Sequence, residues 1–296
     1  MGGARPAARS SGAAAGRRIP GPRPRAIPTP PVALTIAGSD SAAGAGIQAD
    51  LKTFSALRVF GTTAITAVTA QDTLGVRAVH VVPPEMLSAQ VDAVLDDLDV
   101  VSVKTGMLAT LGTIEAVGTV AAKGRLANLV VDPVMVASSG DPLLEAGAES
   151  AYRELLLPFA LMVTPNLAEA ALLVGGELRN LDDMEAAARQ LHTCGAGWVV
   201  VKGGHLAGSQ SADVVFDGAT VTILSAPRVA TTNVHGTGCT LSAAIAAHLA
   251  RGLPPIEAIR AAKDYVTRAL RGGAHWTLGR GHGPLDHMGW THRGTA

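Results

Sequence analysis

The sequence predicts an α/β fold with a central, mostly parallel sheet and helices on both faces. Three observations carry this. Short, continuously apolar runs recur at residues 100–103 (VVSV), 129–131 (LVV), 160–163 (ALMV) and 198–201 (WVVV), each followed by a polar loop and then a helix-like stretch. Such runs suit strands buried on both faces. The chain is 48% apolar but only 3% aromatic, and it has 34 glycines, which fits a core of Val, Leu, Ile and Ala joined by many tight turns.

The elements follow in order. Residues 32–36 (VALTI) form a short apolar strand ending near Gly38, and a helix follows over about 46–58. Residues 62–69 (TTAITAVT) are β-branched and alternate, so they predict a strand. Pro84 and Glu85 open a helix over 84–98 with a stripe of Met86, Val91, Val94, Leu95 and Leu98. Two strands near 213–216 and 220–224 flank Asp217-Gly218, a hairpin signal that predicts one antiparallel edge. Helices near 237–251 and 255–271 follow, and no internal repeat is visible.

Lys+Arg and Asp+Glu are both 24, but the balance is uneven. Residues 1–30 hold six arginines and no acid, leaving 18 basic against 24 acidic side chains in the rest, a net −6. Phosphate-backbone binding needs clustered Lys and Arg, so nucleic acid is not an expected partner. Two cysteines, Cys194 and Cys239, make no disulfide framework, and a reducing cytoplasm is the expected location. No apolar run is long enough to span a membrane. Residues 1–31, rich in Arg, Pro, Gly and Ala, are expected to be a disordered tail, with a transit peptide or an early start codon as other readings. The expected organisation is this tail, a catalytic domain over 32–275 and a C-terminal tail over 276–296.

In a parallel α/β sheet, ligands bind where strands end, so the loops after the strands are the expected place for chemistry. His235-Gly236-Thr237-Gly238-Cys239 is a glycine-rich turn running into an alanine-rich helix. Backbone N–H groups left unpaired there make an anion hole suited to a phosphoryl group, and the helix end should lower the Cys239 pKa. Alternatively, Cys239 is a small packing residue. The loop from Gly38 to Gly46 follows the first strand, and its small residues let a ligand approach the backbone; Ser39 and Asp40 acting as helix caps is the plain structural reading, which leaves Asp50 solvated. Gln71, at a strand end, offers a donor and an acceptor on one planar edge, the complement of an aminopyrimidine. Asp132 follows Val130-Val131. Glu169 lies three residues after Asn166 on one helix face, which is either a capping box or, with Asp132, a pair of carboxylates for Mg²⁺ beside a nucleoside triphosphate. Lys202 ends an apolar strand and could neutralise phosphate. Cys194 has no partner set for zinc, and His275, His282 and His287 are too scattered for a metal site.

The strings ALTIAGSDSAAGAGIQADLKTFSAL, AVTAQDTLGV, KTGML, VVDPVM with SSGDPLL, TPNLAEA, VKGGH and SAPRVATTNVHGTGCTLSAAIAA resemble, in order and over about residues 32–272, the hydroxymethylpyrimidine and phosphomethylpyrimidine kinases of the ribokinase-like superfamily. The resemblance implies a ribokinase-like fold. It implies ATP-dependent phosphorylation of 4-amino-5-hydroxymethyl-2-methylpyrimidine and then of its monophosphate, giving the pyrophosphate used in thiamine biosynthesis, with ATP as co-substrate, Mg²⁺ and a homodimer. It also implies that Gln71, Asp50, Met107 and the loop from Gly38 to Gly46 line the pyrimidine pocket. Gly236, Thr237 and Gly238 would form the anion hole, and Cys239 would stand where sugar kinases carry a base Asp. Asn166, Glu169 and Asp132 would organise Mg²⁺ and phosphate.

Two positions depart from the family: Ala43 stands where relatives commonly have Gly, and Asp72 where Asn is frequent. Pyridoxal kinase activity is the nearest alternative, since those enzymes share the fold and a hydroxymethylated ring. A sugar or nucleoside kinase is disfavoured by Cys239 in place of a carboxylate base. A non-catalytic binding module is disfavoured by the joint presence of anion hole, acids and Lys202.

Overall fold

The computed structural model describes residues 1–2, 29–137, 140–204 and 206–292. Residues 3–28, on which the expectation of a disordered tail mostly falls, lie outside the described residues. Among the described residues, nine strands form one sheet in the order β3-β2-β1-β4-β5-β6-β7-β8-β9. The central strands, β1 (Val32–Ser39), β2 (Phe60–Asp72), β4 (Val100–Thr105), β5 (Val130–Val131), β6 (Met162–Val163) and β7 (Trp198–Val201), pair in parallel. Their apolar runs are buried on both faces; Ala33, Leu34 and Ile36 in β1 are fully enclosed.

The sheet has two antiparallel edges where the sequence predicts one. The expected hairpin is β8 (Gln210–Phe216) with β9 (Val221–Pro227), its turn fastened by Asp217 Oδ1 accepting the Ala219 and Thr220 N–H groups. The other edge is β3 (Gly75–Val81), antiparallel to β2. Its signal is weak because Arg77 to His80 are exposed, as on many edge strands, so no apolar run marks it.

Two cores cover the sheet. On one face, α1 (Gly46–Ala56), α7 (Thr237–Ala250) and α8 (Pro255–Gly273) bury Phe54, Ile245, Ile259 and Tyr265 with Val130 and Met162. On the other, α2 (Pro84–Asp97), α3 (Leu111–Ala122), α5 (Leu167–Val174) and α6 (Leu181–Thr193) pack with a short segment at Glu149–Ala151, called α4, which continues as a π turn over Tyr152–Leu156. Of the expected α2 stripe, Val91 is buried and Val94 and Leu95 pack beside it, while in the first turn Leu87 is buried and Met86 is exposed. Thr110 and Asn180 cap α3 and α6 with side-chain oxygens.

The segment after α8 returns across the carboxyl ends of the strands. Thr73 at the β2–β3 turn accepts the Arg280, Gly281 and His282 N–H groups, Asn233 Oδ1 accepts from Gly283, and His287 Nε2 lies 2.9 Å from Thr240 Oγ1. Residues 280–287 therefore strap the β2–β3 turn to the start of α7. Among the described residues no helix is long and apolar enough to cross a membrane.

Candidate active site

A cavity of about 720 Å³ opens at the carboxyl ends of the parallel strands, where loops between strands and helices converge. Gly38, Gly46, Gln71, Met107, Asp132, Asn166, Glu169, Lys202, Gly236, Thr237, Gly238 and Cys239 all line it. These residues come from seven separate stretches of the chain at strand ends and helix starts, and the sheet brings them to one face.

The start of α7 is the centre of the site. Gly236 is its N-cap with φ +81°, and a Cβ there would meet the Gly44 carbonyl oxygen at 1.9 Å. Only glycine allows this approach. No side chain caps α7; the Thr237 N–H donates to the Val234 carbonyl, so of the expected anion hole the N–H groups of Gly238 and Cys239 are the ones left for a ligand. The loop after β1 packs against this turn. Asp40 organises it by accepting the Ala42, Gly44 and Ala45 N–H groups, rather than capping α1, whose N-cap is Ala45. Gly46 has φ +57° and sits over the Gly38 carbonyl.

A cluster of charge sits at the ends of β5, β6 and β7. Lys202 Nζ lies 2.8 Å from Asp132 Oδ1 and 3.8 Å from Glu169 Oε2, and it touches Gly238, where a Cβ would be 3.1 Å from Nζ. Asp132 also accepts from Ser242 and Thr164. Burial would lift Asp132, but Lys202 and Lys104 hold it below the ordinary carboxylate range. Burial, reinforced by Asp132, pushes Glu169 up to about 7 despite Lys202. Burial would lower Lys202, but the two carboxylates push it up to about 12. The capping box is also present: Glu169 Oε2 accepts the Asn166 N–H at 2.7 Å, and Asn166 Oδ1 accepts the Glu169 N–H. The capping role and the presence of Glu169 in the cavity coexist.

Two expectations need correction. Asp50 does not line the cavity. Its side chain is fully buried, where one oxygen receives Thr35 Oγ1 at 2.6 Å and Lys104 Nζ at 2.9 Å and the other has no partner among the described residues. It is Lys104, at the end of β4, that reaches the cavity. The second correction concerns Cys239. Its thiol is pushed up to about 11, not lowered: burial dominates, Asp132 and Asp50 add to it, and Lys104 and the Gly46 N–H only partly oppose them. Desolvation of a thiolate here outweighs the helix end.

Sequence reasoning missed Lys104, His235 and Thr69. Lys104 follows an apolar run as Lys202 does, so the strand-end rule could have found it. His235 and Thr69 have no such signal: their roles come from contacts. Gln71 is placed by Ser41, whose hydroxyl bonds both its carbonyl and its N–H. Its carboxamide lies 3.2 Å from Thr69 Oγ1 and 3.4 Å from His235 Nε2. His235 in turn lies 2.9 Å from Asp40 Oδ2. Val229, Val234, Leu241, Val266 and Leu270 also line the cavity, as do Lys263 and Asp213, which form an ion pair. Among the described residues no group of three or more His, Cys, Asp or Glu side chains could hold a metal ion.

An anion-binding helix start, a lysine between two carboxylates and apolar lining in one cavity fit a small-molecule kinase. The phosphomethylpyrimidine kinase model matches residues 40–286, and the chain belongs to that family. It is 55% identical to a hydroxymethylpyrimidine/phosphomethylpyrimidine kinase of Rhizobium meliloti, over 87% of this chain and 97% of that one. It is 49% identical to the thiamine biosynthesis bifunctional protein ThiED of Geobacter sulfurreducens, spanning 52% of that longer protein. Among solved structures, it is similar to an ADP complex of Bacillus subtilis pyridoxal kinase, with TM-score 0.81, 41% identity and 88% and 98% of the two chains covered. It is also similar to the phosphomethylpyrimidine kinase of Clostridium difficile, with TM-score 0.72, 39% identity and 81% and 99% covered.

Proposed function

We propose that this protein transfers the γ-phosphoryl group of ATP to 4-amino-5-hydroxymethyl-2-methylpyrimidine, and then to the resulting monophosphate, for thiamine biosynthesis. The observation that carries this is the shared cavity: the Gln71 carboxamide and the start of α7 line one space. Gln71 supplies a donor and an acceptor for the aminopyrimidine edge, and the N–H groups of Gly238 and Cys239 in the first turn of α7 take the charge that develops on the transferring phosphoryl group. Lys202 neutralises phosphate, and the apolar slot at Val229 and Val266 takes the adenine.

The two carboxylates fit Mg²⁺ by chemistry: both are hard oxygen donors, and both line the cavity, on either side of the Lys202 ammonium. Mg²⁺ is commonly held by one or two carboxylates, waters and substrate phosphates. Asp132 and Glu169, through water, would hold it, and it would supply charge neutralisation along the triphosphate. The expected location is the cytoplasm.

An ADP-release assay with Mg·ATP tests the proposal, using the hydroxymethylpyrimidine, its monophosphate and pyridoxal side by side. Turnover of both pyrimidines with pyridoxal much slower supports it. Turnover of pyridoxal alone supports the second reading, a pyridoxal kinase, which the likeness to the Bacillus subtilis enzyme favours.

A further inference from the structure

His235, Asp40, Gln71 and Thr69 form a chain of polar groups at the pyrimidine end of the cavity, and counting protons in it fixes more than position. Asp40 accepts three backbone N–H groups, from Ala42 at 2.8 Å, Gly44 at 3.0 Å and Ala45 at 2.8 Å. It is therefore an ionised carboxylate that only accepts; burial would raise it, but His235 and these N–H groups hold it below its ordinary value. His235 Nε2 lies 2.9 Å from Asp40 Oδ2 and so must carry a proton. That proton decides how Gln71 is turned. The two ends of a carboxamide are isosteric, so hydrogen bonding alone distinguishes them. With the amide nitrogen towards His235, two N–H groups meet across 3.4 Å. The single Thr69 proton is also then contested, because Thr69 Oγ1 lies 3.0 Å from the Ser39 carbonyl and 3.2 Å from the Gln71 amide. With the amide turned over, both conflicts vanish. The His235 N–H is then shared between Asp40 and the Gln71 oxygen, the Gln71 nitrogen donates to Thr69, and Thr69 donates to Ser39.

We propose that His235 is a positioning residue that locks the Gln71 carboxamide with its oxygen towards the start of α7, and so fixes the orientation in which the pyrimidine ring binds. This rests on the reading of the substrate as an aminopyrimidine. The locked amide keeps one acceptor on the His235 side and one donor on the Thr69 side. The exocyclic amino group must meet the acceptor and the ring nitrogen beside it the donor. On this ring the hydroxymethyl group neighbours the amino group on the side away from that nitrogen. The amino group towards His235 therefore turns the hydroxymethyl towards Gly236 to Cys239, the residues that follow His235 in the chain. The opposite amide would turn the reacting hydroxyl away from the anion hole. The substrate specificity of Gln71 and the aim of the nucleophile are then set by one proton on His235.

The test compares the aminopyrimidine with its 4-oxo analogue, in which donor and acceptor are exchanged. In the unmodified enzyme the analogue is expected to be strongly disfavoured. His235→Leu frees the amide to turn, so kcat/KM for the aminopyrimidine should fall roughly 10- to 100-fold while the preference over the 4-oxo analogue shrinks by a similar factor, with KM for ATP unchanged. His235→Gln keeps an N–H towards Asp40 and should restore the preference. In a Gln71→Ala background, His235→Leu should cost no further preference. Loss of activity on both substrates by one common factor would overturn the proposal. Because His235→Leu disturbs a buried contact, a second measurement on the unsubstituted protein is decisive: long-range proton–nitrogen correlation of the His235 ring should show Nε2 protonated, and a bare Nε2 overturns the proposal. If the unmodified enzyme fails to turn over the aminopyrimidine at all, the functional reading falls and the ring orientation with it, while the nitrogen spectrum still reports the His235–Gln71 arrangement.

Discussion

Lys104 Nζ and Asp50 Oδ2 form an ion pair of 2.9 Å in which both side chains are wholly excluded from solvent. The pair joins α1 to β4 directly beneath the start of α7. Burial would lower Lys104, but Asp50, with Cys239 and Asp132, raises it well above its ordinary value, so it stays charged. Its ammonium is therefore a fixed positive charge in the cavity floor.

Breaking that pair from the acid side leaves a buried ammonium without its main partner. Asp50→Ala is expected to cost about 3–5 kcal/mol in urea unfolding of the ligand-free protein. Asp50→Asn combined with Lys104→Met should recover part of this stability but not activity, because the cavity loses its floor charge. A loss below about 1 kcal/mol for Asp50→Ala would show that the pair is not worth its burial.

This pair also marks the boundary of what the sequence discloses. Asp132, Lys202 and the Gly236 turn each follow a strand or open a helix, and one rule about strand ends finds them. Asp50 lies inside α1, and whether it faces solvent, a ligand or another residue depends on Lys104, 54 positions away. The His235–Asp40 contact spans 195 positions and leaves no local trace. The central strands are legible because they are buried on both faces; β3 is not, because the exposed run from Arg77 to His80 hides the alternation.

Ala43 has φ +60°, in the left-handed region, where a Cβ costs about 1–2 kcal/mol. The turn is imposed from outside, by the Ala43 N–H donating to the Asp40 carbonyl and by Lys52 Nζ bonding the Ala43 carbonyl. Ala43→Gly removes the strain and returns part of the gain as backbone entropy. A net stabilisation of about 0.5–1 kcal/mol is expected. Thermal unfolding checks it; a lower melting temperature for the glycine variant would mean that the loop does not strain this residue.

Glu169 gives a stability dependence opposite to that of most carboxylates. Its pKa in the fold is about 7, above its ordinary 4.5, so the folded chain binds the proton more tightly than the unfolded chain. This contribution to stability is fully present below about pH 4.5 and is lost as pH rises through 7. Glu169→Gln keeps an oxygen to accept the Asn166 N–H and removes the charge. Without ligands, it should melt above the unsubstituted protein at pH 8, by the equivalent of about 1–3 kcal/mol, and level with it near pH 5. Activity should fall in the same variant, since a carboxylate proposed to hold Mg²⁺ is gone. Equal destabilisation at both pH values would assign Glu169 to capping alone.

Cys239 is a thiol, not a thiolate, at neutral pH, because its pKa is pushed up to about 11. In a Cys194→Ser background, its alkylation by iodoacetamide should be slow at pH 7 and still climbing at pH 10; a plateau near pH 7 would contradict the burial argument. A neutral thiol cannot accept the hydroxyl proton at all, so Cys239 can serve as base only from its small thiolate fraction, taking the proton as the hydroxyl bonds to phosphorus. The two phosphorylations then separate. The first nucleophile is a primary alcohol, which must lose its proton during transfer; the second is a phosphate, already anionic, which hardly needs a base. Cys239→Ala should therefore lower kcat for the hydroxymethylpyrimidine by about 10²-fold or more and that for its monophosphate by much less. Equal losses in both steps would place Cys239 among the residues that shape the anion hole, leaving the α7 N–H groups and Lys104 to carry the chemistry by charge alone.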